Sequence, residues 1–531
     1  MRKKWGNRIG AIVLACALTM SGLPVQSIST STRKAYAAAK SETEKQDVSQ
    51  PETKMGNVVL NGNDIAVNNV NGLTYKGFGM LSGNSTSDLL MDYKAEQPKA
   101  YAELMQYLFG GNYPIMNHVK LEMGNDRNTS TGPESCTKRT EKEKANVLRN
   151  PGWQLAADAK KINPKIKVSI LRWEAPVWAE TDEKIYQWYK ETILDAYEKY
   201  GYMVDYINPN INEKWDVDSD VAFTKKFAKW IAAETKETIP DEKALALYHK
   251  IKLVVSDEAG TASDSVVESM KSDSDFYNSV DVVGYHYSPW DDSNGGMKWL
   301  AQTKDKEVWN SEAQATFSNS AFRPSNNVKD PTTEGTGLGG TGSALEMANT
   351  FIKGFVQSRR SHVIYQPAIG SFYEGAQFSF KELVSARDPW SGWIHYDAGL
   401  LMLAHISKFA VTGWENEDNT AGIWRAVPQA SKCTADGTNP VNGRNGGENY
   451  MTLASPAKDN FSTMIVNDSE YPMEYKIQTE NMKLAEDQNL EIWETRAADD
   501  GAFNENYMKC IGTAKADDNG VYTVKVKPYS A

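Results

Sequence analysis

Two glutamates in this 531-residue chain stand at the ends of short, largely apolar runs. Residues 205–213 end on Glu213, and residues 307–312 end on Glu312. If both runs are parallel strands of one closed barrel, both carboxylates lie at its C-terminal mouth, where barrel enzymes keep their reactive groups. Two facing carboxylates in a cleft are the groups that cleave glycosidic bonds. The pattern therefore predicts a glycosidase site.

We expect Glu213 to be the general acid/base and Glu312 the nucleophile. Two carboxylates held close together do not both ionise easily, so the pKa of the acid should rise while the other group stays anionic. A carboxyl separation of about 5–5.5 Å is typical of retaining enzymes, and one of about 6.5–9.5 Å of inverting enzymes. The sequence does not fix this distance.

Four neighbouring side chains are candidates for substrate binding. Asn212 precedes Glu213, and its amide could bind a sugar 2-hydroxyl or simply occupy a turn. Trp173 ends a predicted strand and could stack on a sugar face or belong to the core. His286 and Tyr287 end another strand and could hydrogen-bond the nucleophile or the sugar, while a structural histidine is the alternative.

No cofactor or metal ion is predicted. His118 and His286 have no partners at metal-ligand spacing. Residues 335–340 match G-x-G-x-x-G but follow a polar stretch and not a strand, as a dinucleotide fingerprint would require. Asp257 and Glu258 end a strand and form a third acidic candidate, ranked below Glu213 because no amide precedes them.

The elements that would position these residues form a repeating pattern. Strand-like runs alternate eight times with helical stretches, which favours an α/β fold and a (β/α)8 TIM barrel over residues 72–411. A doubly wound open sheet is the rival. The predicted strands are 73–81, 118–123, 167–173, 205–212, 252–257, 280–287, 307–311 and 362–368. The predicted helices are 98–108, 153–161, 184–200, 222–235, 262–271, 297–302 and 343–359.

The pattern changes near residue 412. Short strand-like runs separated by Asn, Asp and Gly turns predict an antiparallel β-sandwich over 412–531. Residues 57–71, with Val58–Leu60 and Ile65–Val67 as a hairpin, are expected to join this sandwich. The last residues read as if another strand were about to begin, which favours a fragment of a longer protein.

Residues 1–37 have a basic end, an apolar core and the small-x-small sequence Ala35-Tyr36-Ala37, which predicts a cleaved export signal of a bacterial secreted or cell-surface protein. Lipid attachment at Cys16 is the alternative. Residues 38–56 are polar and predict a linker. The apolar run is too short for a stable membrane span.

Charge and cysteine content set further bounds. The net charge is −11, and loss of the six positive charges in residues 1–37 would bring it to −17, which argues against nucleic-acid binding. The four cysteines contain no C-x-x-C pair, so a zinc or redox motif is not predicted. Either Cys433 and Cys510 form a disulfide or the thiols are free.

Several motifs, in order along the chain, resemble glycoside hydrolase family 59, the galactocerebrosidase family. They are 79–83 (GMLSG), 118–124 (HVKLEMG), 212–214 (NEK), 310–312 (NSE), 388–392 (DPWSG) and 404–414 (AHISKFAVTGW). The resemblance implies a retaining, exo-acting β-galactosidase with Glu213 as acid/base and Glu312 as nucleophile. It also implies sugar contacts from Trp173 and Asn212.

The leading hypothesis is thus a secreted retaining β-glycosidase that removes terminal β-galactose from a glycan or glycolipid. One alternative is an endo-acting β-glycanase or galactanase, which an open groove would favour. The other is a carbohydrate-binding surface protein without catalysis, against which the presence of both glutamates argues. The sequence leaves the oligomeric state open.

Overall fold

The computed structural model describes residues 51–531, except 84–85, 128–132, 259–260, 288–294, 314–343, 367, 371–381, 411–421, 434–446, 486–487 and 497–505. The predicted export signal, most of the linker and the glycine-rich stretch at 335–340 lie outside these residues. Residues 54–531 belong to one compact unit. Within the described part of the chain, no helix is both long enough and apolar enough to cross a bilayer.

The first strand, β1 (Lys54–Asn61), precedes a closed parallel barrel of eight strands, which confirms the predicted fold class. The barrel strands are β2 (Gly77–Ser82), β3 (His118–Glu122), β4 (Lys167–Arg172), β5 (Tyr206–Ile211), β6 (Lys252–Glu258), β7 (Val282–His286), β8 (Glu307–Ala313) and β9 (Arg360–Tyr365). β2 pairs with both β3 and β9, so no edge remains. All residues of β2 and β3 are buried, as expected for strands covered on both faces.

Helices follow the barrel strands on the outside. They are α1 (Thr86–Glu96), α2 (Pro98–Phe109), α3 (Pro151–Ile162), α4 (Asp182–Tyr200), α5 (Val217–Ala233), α6 (Glu242–Tyr248), α7 (Thr261–Ser272), α8 (Ser274–Ser279), α9 (Gly296–Thr303), α10 (Ala344–Ile352) and α11 (Ala398–Ala410). Local sequence fixes their ends. The Thr181 side chain accepts a hydrogen bond from the Lys184 N–H at the start of α4, and Gly201, with φ of 78°, ends it.

The barrel interior has an apolar and a polar part. Its apolar cluster comprises Leu81, Leu171, Tyr206, Val254, Val282, Trp309 and Ile364. Beside it, His118 Nδ1 lies 3.0 Å from His362 Nε2, and His118 Nε2 lies 2.8 Å from Ser169 Oγ. Burial lowers the pKa of both histidines, to about 4 for His362, so both are neutral and hydrogen-bonded at neutral pH.

Twelve described strands lie outside the barrel. They are β1, β10 (Ile369–Gly370), β11 (Val384–Asp388), β12 (Trp393–Tyr396), β13 (Arg425–Ala426), β14 (Lys432–Cys433), β15 (Asn449–Ala454), β16 (Phe461–Ile465), β17 (Met473–Glu480), β18 (Leu490–Arg496), β19 (Asn506–Ala514) and β20 (Val521–Val526). They form the sheets β1-β17-β20, β10-β11-β12, β13-β15-β14 with β16, and β18-β19. Most of these pairs are antiparallel, but β1 runs parallel to β17 and β10 runs parallel to β11.

The hairpin predicted near the N-terminus is wrong. β1 pairs with β17, more than 400 residues away, and Ile65–Val67 is not a strand. Alternation explains the difference. In β1, Val58 and Leu60 are fully buried while Val59, between them, is half exposed. In the second run, Ile65 is buried but Val67 is 80% exposed. Only the first run has a face that a sheet can bury.

The three described cysteines are free thiols. Cys433 lies in β14 and Cys510 in β19, and these strands belong to different sheets. Both thiols are free, so the disulfide considered from the sequence is not present in the structure.

Candidate active site

Glu213 and Glu312 lie at the C-terminal end of the barrel, on strands that are not neighbours. Glu213 follows β5 by two residues, and Glu312 is the last residue but one of β8. One carboxylate oxygen of each, together with a ring nitrogen of His286, falls within a group of atoms all within 4.8 Å of one another. The fold therefore brings together two glutamates separated by ninety-nine positions in the chain.

His286, the last residue of β7, lies between the two carboxylates. Its Nδ1 is 3.1 Å from Glu213 Oε1 and 3.9 Å from Glu312 Oε2. Its ring is fully buried, and its Nε2 is 3.4 Å from Asp257 Oδ1. The imidazole thus faces three carboxylates at once.

Tyr287 holds Glu312 at two points. Its hydroxyl donates to Glu312 Oε1 at 2.6 Å, and its backbone N–H donates to the Glu312 carbonyl oxygen at 2.7 Å. The second carboxylate oxygen, Oε2, is buried and has no hydrogen-bond partner among the described residues. One oxygen is therefore fixed, and the other is available to a reacting carbon.

The backbone is strained at three of these positions. Glu213, Asp257 and Tyr287 have φ values of 56°, 45° and 60°, in the left-handed region that side chains with a Cβ rarely adopt. The Glu213 N–H donates to the Asp257 carbonyl oxygen at 3.2 Å, which helps to hold the turn after β5. Such strain concentrates at functional sites, where the surrounding structure enforces it.

Asn212 is fully buried beside Glu213. Its backbone N–H donates to the Arg172 carbonyl oxygen at 2.9 Å, while neither its side-chain nitrogen nor its side-chain oxygen has a partner in the part of the chain that is described. A buried amide with both polar atoms unpaired is costly unless a ligand satisfies it. This observation favours ligand binding over a turn role.

Trp173 directly follows β4 and is partly buried. It packs against the apolar cluster of the barrel interior. The structure therefore gives it a packing role and leaves part of its surface exposed at the C-terminal end of β4, so that stacking on a sugar remains a prediction.

The charges at the site differ from those expected from the sequence. Burial alone would lower the pKa of His286, but Glu312, Asp257 and Glu213 outweigh burial and raise it to about 9. Burial alone would raise the pKa of Glu213, but its hydrogen bond to His286 and the charge of that ring outweigh burial and lower it. The expected rise at Glu213 is thus not found, because the proton resides on His286 in the unliganded site.

The third acidic candidate separates into two residues with different roles. Burial opposes ionisation of Asp257, but the nearby Lys120 and His286 outweigh it and hold the pKa of Asp257 far below its ordinary value. Burial raises the pKa of Glu258 to about 7. Glu258 Oε1 accepts a hydrogen bond from the Trp215 N–H at 2.5 Å and so supports the turn that carries Glu213.

Sequence reasoning missed the polar residues below the carboxylates. Lys120 Nζ lies 3.1 Å from Asp257 Oδ1 and donates to the Ser311 carbonyl oxygen at 3.2 Å, while Asn208 Nδ2 donates to Asp257 Oδ2 at 2.7 Å. Lys120 was a detectable signal, because a charged residue inside a predicted buried strand needs a buried partner.

Glu213, His286 and Glu312 also have the spacing of a metal site. One histidine and two carboxylates are ligands that several divalent ions accept. Glu213 Oε1 already contacts His286 Nδ1 at 3.1 Å, whereas Glu312 Oε2 has no hydrogen-bond partner among the described residues.

Comparison of the sequence with known proteins finds one matching family and several relatives. The sequence model described as "Glycosyl hydrolase family 59" matches residues 75–408, which include both glutamates. "Galactocerebrosidase" from Danio rerio is 25% identical over 357 residues, covering 65% of this chain and 46% of that protein. The Homo sapiens protein of the same name is 27% identical over 350 residues, covering 65% and 44%. The chain spans less than half the length of these relatives.

Solved structures support the fold alone. SrfJ from Salmonella typhimurium superposes with a TM-score of 0.56 at 12% identity, covering 92% of this chain and 94% of that one. The catalytic domain of GH30 xylanase C from Talaromyces cellulolyticus gives 0.52 at 11% identity, covering 89% and 98%. Because the family model covers well over half of the sequence, the chain belongs to glycosyl hydrolase family 59.

Proposed function

We propose that this chain hydrolyses terminal β-galactosides with retention of configuration, with Glu213 as acid/base and Glu312 as nucleophile. The observation that carries the proposal is the approach of the two glutamates to within 4.8 Å across His286. This approach of two carboxylate oxygens is compatible with the carboxyl separation of retaining enzymes, about 5–5.5 Å, and is well below the roughly 6.5–9.5 Å of inverting ones. The galactose assignment is supported by the galactocerebrosidase relatives.

In the first step, Glu312 Oε2 attacks the anomeric carbon, the bond from that carbon to the leaving oxygen breaks, and Glu213 gives the leaving oxygen a proton. The proton comes from His286 Nδ1, which lies 3.1 Å from Glu213 Oε1. In the second step, the water oxygen attacks the anomeric carbon, the bond from that carbon to Glu312 breaks, and Glu213 takes the proton from water and returns it to His286 Nδ1. The Asn212 amide binds the sugar 2-hydroxyl, a role supported by its two buried and unpaired polar atoms.

The substrate is a carbohydrate or a glycolipid headgroup. The test is hydrolysis of a panel of nitrophenyl β-glycosides by the wild type and by Glu213→Ala and Glu312→Ala, with and without azide. Glu242→Ala, on the exposed surface of α6, is the control. We expect β-galactoside to be preferred and both site variants to be inactive. Azide should rescue Glu213→Ala and yield a β-galactosyl azide.

The alternatives have distinct outcomes. Cleavage of a β-linked galactan but not of aryl galactosides would replace exo by endo action. Binding of galactosides without turnover by the wild type would indicate a carbohydrate-binding protein. Full activity of both site variants would refute the assignment of the glutamates.

We also propose that the protein is exported and cleaved near Ala37, on the support of the composition of residues 1–37. N-terminal sequencing of the protein recovered from the medium or the cell surface of an expressing bacterium tests this. A first residue at Ala38 is expected, and an intact Met1 on cytoplasmic protein would contradict it.

A further inference from the structure

A buried ion pair lies under the two glutamates. Lys120 from β3 and Asp257 from β6 have side chains that are 4% and 1% exposed, and the atoms Nζ and Oδ1 are 3.1 Å apart. These strands lie on different sides of the barrel, separated by β4 and β5. Asn208 holds the second oxygen of Asp257 at 2.7 Å, and the Ser311 carbonyl oxygen accepts from Lys120 at 3.2 Å. The Asp257 carboxylate is thus held from two directions.

The same carboxylate is the contact for one nitrogen of His286. Asp257 Oδ1 lies 3.4 Å from His286 Nε2, while the other nitrogen, Nδ1, lies 3.1 Å from Glu213. The hydrogen-bond partner of one imidazole nitrogen sets the orientation of the ring and determines whether the opposite nitrogen carries a proton. The contacts therefore run in one direction, from Lys120 through Asp257 and His286 to Glu213.

We propose that Lys120 and Asp257 are positioning residues that orient the His286 ring and, through it, the acid/base Glu213. Both side chains are more than nine-tenths buried and reach Glu213 only through His286, so they are positioning residues and not catalytic ones. The inference rests on the proposed function of Glu213.

Among the charged groups around His286, Asp257 has a role that no neighbouring group can take over. The ring is faced by Glu213 from the turn after β5, by Asp257 from β6 and by Glu312 from β8, with Glu258 and Lys120 also near. Of these, only Asp257 contacts Nε2 among the described residues. Its removal would leave Lys120 buried without its carboxylate, which disfavours a cation on the neighbouring ring.

The kinetic test separates loss of acid catalysis from general damage. The dinitrophenolate of a dinitrophenyl β-galactoside can leave without being protonated. The phenolate of a phenyl β-galactoside is a poorer leaving group and needs a proton from the acid. For Asp257→Asn we expect kcat/KM to fall at least ten-fold more with the phenyl substrate than with the dinitrophenyl one. Equal losses with both substrates, or no loss, would overturn the proposal.

A second variant guards against misfolding. Asp257→Asn leaves a buried lysine unpaired, whereas Lys120→Met combined with Asp257→Asn removes both charges together. The double variant should fold, as judged by circular dichroism and Tm, and should show the same dependence on the leaving group. Asp281→Asn is the matched control, because Asp281 accepts from the Leu253 N–H at 2.8 Å at the start of β7, the end away from the site. It should show no such dependence.

A measurement without substrate keeps this inference distinct from the proposed function. The 15N signals of the His286 ring, assigned with His286→Gln, should shift between the wild type and the double variant in the unliganded protein. Unchanged ring signals would overturn the positioning role even in an active enzyme. If the wild type cleaves neither galactoside, the proposed function fails while the ring signals still decide whether Asp257 orients His286.

Discussion

At the scale of single residues, the hydrogen bond from the Tyr287 hydroxyl to Glu312 Oε1, at 2.6 Å, holds the carboxylate proposed as the nucleophile. A hydrogen bond to a charged group contributes about 1.5–3 kcal/mol. Tyr287→Phe removes the bond and keeps the ring. We expect kcat/KM for nitrophenyl β-galactoside to fall about 10–100-fold, since about 1.4 kcal/mol corresponds to a factor of ten.

Tyr277→Phe is the matched control, because Tyr277 lies in α8 and its ring contacts Lys306, away from the carboxylates. It should keep wild-type kcat/KM. If Tyr287→Phe and this control have the same kcat/KM, the Tyr287 hydroxyl does not contribute to the reaction.

The pH profile of the reaction depends on whether His286 or Glu213 carries the proton that they share. The pKa of His286 is raised to about 9 and that of Glu213 is lowered, so the proton needed for acid catalysis is bound below pH 9 and lost above it. The alkaline limb of kcat/KM should therefore fall near pH 9 in the wild type. In His286→Gln, the only remaining site for that proton is Glu213, so the limb should move to lower pH.

The profile is measured from pH 4 to 10 in the wild type, His286→Gln and His249→Gln. His249 is exposed on the outside of the barrel and serves as the control, with an expected wild-type profile. An alkaline limb in His286→Gln that coincides with the wild type would show that His286 does not hold the proton.

The sequence predicted the two glutamates but not the contacts of Lys120, Asp257 and His286 that surround them. Glu213 and Glu312 each end a predicted strand, so strand order alone placed both at one end of the barrel. The contacts of Lys120 with Asp257, and of Asp257 with His286, join side chains from different strands across the interior. Such pairs depend on the geometry of the closed barrel, which the residue pattern of a single strand does not predict.

At the scale of elements, β7 approaches its neighbours closely at Gly284. A Cβ on Gly284 would overlap Ser311 Oγ of β8 and lie 2.6 Å from Asp257 Oδ1 of β6. Gly284→Ala would therefore displace Asp257, the contact of His286. We expect a loss of about 1–3 kcal/mol in the free energy of unfolding, as for other overpacked cores, together with a loss of kcat.

Urea unfolding and kcat of Gly284→Ala are compared with those of Gly201→Ala. A Cβ on Gly201 meets nothing within 4 Å, although its φ of 78° is unfavourable for alanine. That variant should lose stability, by about 1 kcal/mol, and keep its kcat. Unaltered kcat in Gly284→Ala would show that the close approach of β7 does not support the site.

Elements with a clear period were predicted well, and others were not. The eight barrel strands stand out as short apolar runs between amphipathic helices. β19 is not evident from the sequence, because Asn506–Ala514 includes Lys509, Gly512 and Thr513 and has no continuous apolar face. β1 was found, but its partner was not, because its pairing with β17 joins opposite ends of the chain.

At the scale of the whole molecule, the last barrel helix connects the barrel to the C-terminal sheets. His405 of α11 has its Nδ1 2.8 Å from Thr495 Oγ1 of β18, and Lys408 Nζ lies 3.8 Å from the centre of the Trp493 ring. Because His405 is buried in this contact, its ionisation affects the stability of both parts together.

Burial, with Lys408 nearby, lowers the pKa of His405 to about 4 from an ordinary 6.5. A lowered pKa in the folded state means that the stabilisation is present above pH 6.5 and is lost as the pH falls towards 4, since the unfolded chain binds the proton first. The loss is about 1.4 kcal/mol per pH unit, or roughly 3 kcal/mol in all. His405→Gln should abolish this part of the acid sensitivity.

The free energy of unfolding in urea, measured between pH 7 and 4.5, checks this expectation. Carboxylates, and the lowered pKa values of the buried His118 and His362, also make the stability depend on pH in this range. The informative quantity is therefore the difference between His405→Gln and the exposed His249→Gln. We expect His249→Gln to follow the wild type and His405→Gln to lose about 2–3 kcal/mol less over the range. Parallel curves for the two variants would mean that His405 has the same pKa in the folded and unfolded chain, and that the contact between the barrel helix and the sheets does not depend on its neutral form.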